Sequence, residues 1–164
     1  MNRYLVVLAL LFCAVFVPAL TEARGLTEDV AKMIHEASGV ILDGAASDQQ
    51  IRDALVRLLD AAILTLPQSL KTADSMSNLE AARAEFKNHS VFSEIGYRHL
   101  SQAYRALNSG KDFQFPSIRS IEEARTHIQK LVTASVDNLD KGQSGLASRL
   151  LLESVMMVVT PVAR

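Results

Sequence analysis

Two hydrophobic patterns divide the chain. From Tyr4 to Val17 every side chain is apolar, and Pro18 closes the run. A membrane-spanning helix needs about 20 apolar residues, so this shorter run, following Arg3, reads as the core of a secretory signal. Thr21-Glu22-Ala23 has the small-residue pattern of a cleavage site, and Val17-Pro18-Ala19 offers an earlier one. The later site sets a signal peptide at 1–23 and a helical domain at 24–164. Retained instead of cleaved, the signal would be the only part of the chain to meet a membrane. Export to the periplasm or secretion is the expected location.

Beyond the signal the apolar positions recur three and four apart, the spacing of one helical face. Leu26, Val30, Met33, Ile34, Ala37, Val40 and Ile41 define a first helix that Asp43-Gly44 ends. Ser47 with Gln50 forms a capping box, in which each side chain meets the other residue's orphan N–H. The helix it opens runs through Leu66 and stops at Pro67. Ser77 with Glu80 predicts a second box, and Ser120 with Glu123 a third. Between them Val91 to Leu107 is strongly patterned, with Asn88-His89-Ser90 as a break that leaves one kinked helix or two. From Ser144 to Val159 the chain is apolar almost all round, which predicts an enclosed central helix or one that docks on a partner. No stretch alternates like a strand. The fold class expected is all-α, a single-domain bundle of four to five helices. Leu-x-x-Gly occurs at 107–110 and again at 139–142, a spacing that a helical repeat would give.

Composition changes the picture in two ways. The chain of 164 residues is 49% hydrophobic and carries 17 basic against 18 acidic side chains, a net charge of −1. Without clustered Lys and Arg there is no electrostatic footprint for nucleic acid. Much of the hydrophobicity belongs to the signal, whose removal brings the apolar share down to an ordinary globular value. The single cysteine, Cys13, leaves with it. A domain of roughly 140 residues can be held by its core alone, without disulfides. It would also have no thiol nucleophile, and a disulfide-free, tryptophan-free exported domain points to a bacterial periplasm.

Candidate chemistry is sparse. No Gly-x-Ser-x-Gly elbow, phosphate-binding glycine loop or His-Glu-x-x-His helix occurs, so no catalytic residue is assigned and the protein reads as a non-enzyme. Helical phase through Val91, Phe92, Ile95, Ala103 and Leu107 places His99 in the middle of a buried face, with His89 near its edge. His99, with His89 as second ligand, is therefore the candidate metal site, and a metal or non-covalent haem is the alternative cofactor reading; otherwise no cofactor is expected. Phe113 and Phe115, in a loop expected to fold back on the bundle, and Met156 and Met157 in the last helix, are the candidate interaction residues. The leading functional reading is a helical binding protein for a protein partner or a hydrophobic small molecule.

Overall fold

The computed structural model describes residues 27–160, which form six α-helices and no strand among the described residues. The helices are α1 (27–42), α2 (Asp48–Thr65), α3 (Ala73–Asn88), α4 (Glu94–Leu107), α5 (Ile121–Asp140) and α6 (Ser144–Val159), with a 3-10 turn at Gln68–Leu70. The all-α class is as expected, but four to five helices undercounts. The patterned stretch up to Leu107 is two helices, because Ser93 caps α4 afresh by accepting the Gly96 N–H. The segment expected to be a signal, 1–23, lies outside the described residues. No described helix is long and apolar enough to cross a membrane.

Local chemistry accounts for most helix ends. Ser47 and Gln50 make the complete capping box at α2. At α5 the box is half made: Ser120 accepts the Glu123 N–H, while the Glu123 carboxylate turns to the N–H of Arg119 instead of Ser120. At α3 the expected start is wrong. The helix begins four residues before Ser77, because Thr72 accepts the Ser75 N–H and caps it.

Successive helices α2, α3 and α4 pack as antiparallel hairpins, joined by the Arg83–Asp60 ion pair across α2 and α3 and by Phe86 against Gly96 across α3 and α4. A Cβ at position 96 would stand 2.5 Å from the Phe86 ring, so only glycine lets these helices come so close. The chain then crosses the whole bundle in residues 108–120, which makes α5 parallel to α4. Helix α6 returns between them and packs on α2, α4 and α5. Nine of its 16 residues are buried, as all-round apolarity predicts. The core of α6, including Leu151, Leu152 and Val155, meets Leu55, Leu58 and Leu59 of α2, with Val30, Ile34 and Ala37 of α1 in the same cluster. Buried hydroxyls are satisfied: Ser148 of α6 donates across to the Ala62 carbonyl of α2 at 3.0 Å, and Ser75, Ser135 and Ser154 each donate to a main-chain oxygen a few residues away.

Candidate functional site

The histidines do not converge. Phe92 and Ile95 are more than half exposed, and the buried face of α4 is Gly96, Leu100, Ala103 and Tyr104. His99 therefore lies on the flank of the helix, not in the middle of its buried face. The error has two causes: Val91 and Phe92 precede the cap at Ser93, so helical phase does not apply to them, and Ile95, inside the helix, faces water despite being apolar. His99 Nδ1 hydrogen-bonds Asn78 Oδ1 of α3 at 3.0 Å. His89 Nδ1 sits 3.2 Å from a Glu85 carboxylate oxygen at the surface. No group of three or more His, Cys, Asp or Glu side chains able to hold a metal exists among the described residues.

The phenylalanines of the crossing loop fold back on α4. Phe113 meets Tyr104 edge-on, with ring centres 5.7 Å apart, and Phe115 at 4.6 Å. Phe115 in turn leans on Tyr97 at 6.5 Å, so the loop is stitched down two turns of the helix. Beneath it lies a small polar recess of about 480 Å³ beside Tyr104 and Glu153. The Tyr104 hydroxyl donates to Glu153 at 2.8 Å, and burial, with help from that carboxylate, pushes the phenol up to about 12.

The larger concavity is at the opposite end of the bundle. There the C-termini of α1 and α6, the N-termini of α2 and α5 and the α3–α4 link frame a groove of about 920 Å³. Ile51, Val91, Ile128, Met157 and Val158 form its apolar floor and sides. Met157 is buried beneath it, whereas its neighbour Met156 is enclosed in the core and offers no surface. Phe92 and Ile121 stand at the rim, 58% and 68% exposed. Ile121 shares the stripe of Ala124, Ile128, Val132 and Leu139 that buries α5. The stripe runs one turn past the end of the core, and that overrun is what makes the groove apolar.

Two arginines on the α5 side and two aspartates on the α1–α2 side also line it. The Arg125 guanidinium lies against Gly44, where an added Cβ would be 2.7 Å from one of its nitrogens. Asp43 accepts the Ala45 N–H at 3.0 Å, and Asp48 occupies the first turn of α2. Such a groove has the size and the mostly apolar lining, with a few polar groups, of small-molecule sites. Only Met157 of its residues was a candidate by sequence. Arg119, Arg125, Phe92 and Ile121 carry no motif; the one available signal was that Ile121 keeps the phase of α5 beyond the point where a core could use it. Comparison with known protein families, with curated proteins and with solved structures finds no match.

Proposed function

We propose that the protein is an exported, non-enzymatic helical binding protein whose end groove takes up a hydrophobic ligand. The observation that carries this reading is the groove itself, about 920 Å³ of concave space with an apolar floor and two large exposed apolar side chains, Phe92 and Ile121, at its rim. Exposed apolar area costs solubility and is retained where it is covered in use. Concavity favours a small molecule over a flat protein partner.

Titration with a neutral solvatochromic dye such as Nile red tests it. The folded protein should bind the dye saturably at one site. Phe92→Ser with Ile121→Asp should weaken that binding about tenfold, equivalent to roughly 1.4 kcal/mol, without loss of fold, since both side chains are already largely in water. Absence of saturable binding by the intact protein would overturn the proposal. For export, N-terminal sequencing of the protein recovered outside the cytoplasm should begin at Arg24.

A further inference from the structure

Resting on the groove reading, we infer that the ligand is a single-chain amphiphile with an anionic head, held by Arg119 and Arg125 with its hydrocarbon chain on the floor of Ile51, Ile128 and Met157. The argument is one of charge left over. Both aspartates of the groove keep their charge but have favourable partners where they stand, Asp43 accepting the Ala45 N–H and Asp48 lying in the first turn of α2 at the positive end of its dipole. The arginines are less well partnered. Arg125 is 3.8 Å from Glu122, a carboxylate 81% exposed to water, and such a pair is worth little. The Arg119 side chain makes no ion pair or hydrogen bond with the described residues, although its own N–H is taken by Glu123. Arg125 is also placed: Gly44 leaves the space in which its guanidinium lies against the α1–α2 turn, between one wall of the groove and the other.

A neutral hydrocarbon would use the floor and leave both guanidiniums idle, and a cationic amphiphile would be repelled by them. A carboxylate or phosphate head accepts paired N–H bonds from a guanidinium fork, and a partly water-excluded groove strengthens that contact. Fatty acids and alkyl phosphates share this chemistry.

Calorimetric titration of the intact protein with dodecanoate, dodecyl phosphate, dodecanol and dodecyltrimethylammonium, all below their micellar concentrations, separates the cases. At least one anion should bind ten or more times tighter than dodecanol, and the cation should bind weakest. Arg119→Gln with Arg125→Gln should bring the anions down to the affinity of dodecanol and leave dodecanol unchanged. Gly44→Ala, which keeps every charge but displaces Arg125, should weaken the anions several-fold and spare the alcohol. Equal or tighter binding of dodecanol overturns the anionic head while leaving the groove reading intact. If no chain of any charge binds, both fall.

Discussion

At the scale of single residues, the two Leu-x-x-Gly sequences show how one pattern can serve two geometries. After α5, Gly142 takes the left-handed conformation at φ +72°, its N–H bonds the Leu139 carbonyl, and Gln143 N–H bonds that of Asn138. After α4 the corresponding loop-back bond is made by Gly110 to Arg105, so the left-handed position next to the cap falls on Ser109, at φ +52°. The spacing that resembled a repeat is two helix stops with the glycine out of register by one. A non-glycine residue in this conformation carries a steric cost that glycine avoids. Ser109→Gly should therefore raise stability by about 1 kcal/mol, or roughly 3 °C in melting temperature by calorimetry. An unchanged or lower melting temperature would mean that the hydroxyl matters there.

At the scale of elements, helix identity was readable from periodicity and helix ends were readable only where one candidate cap stood alone. Ser47 had no competitor. Ser77 had Thr72 upstream, and Ser-x-x-Glu matched at a position that is mid-helix in the protein. Thr72→Ala should cost about 1 kcal/mol in chemical denaturation, whereas Ser77→Ala, exchanging serine for a better helix former on an exposed surface, should cost nothing. The reverse result would move the start of α3. The α4–α6 contact carries a pH signature of its own. Because the Tyr104 phenol is held up at about 12, folding favours its protonated form. That contribution is complete below the ordinary tyrosine range near 10 and is lost as pH climbs from there through 12. Stability measured across that interval should fall less steeply in Tyr104→Phe than in the parent, and an identical slope would show that Tyr104 is not responsible.

At the scale of the whole molecule, the all-α class followed from pattern alone, and the groove could not. Its walls come from residues 41–51, 91–92, 119–128 and 157–160, brought together only because the crossing loop returns the chain to the end where α4 began. Periodicity reports which face of a helix is buried, not which helix ends meet. Histidine placement failed for a related reason, since phase was extended across the cap at Ser93 and Ile95, apolar and inside α4, faces water instead of the core. The central position of α6 was legible, because a helix apolar on every side has few other places to go. It also makes a global prediction: a chain ending at Gln143 should keep much of its helical circular dichroism but unfold without a cooperative transition, and a sharp melt would show that α1–α5 form a core unaided.

Helix α6 follows in the chain every helix that it packs against, and this sets a schedule. A ribosome adding about 5–20 residues per second spends several seconds or more between completing α2 and completing the helix that fills the space beside it. Throughout that interval the apolar faces of Leu55, Leu58 and Leu59 lack the α6 side chains that complete their cover in the folded protein. Until α6 is made, the nascent chain carries that surface incompletely covered.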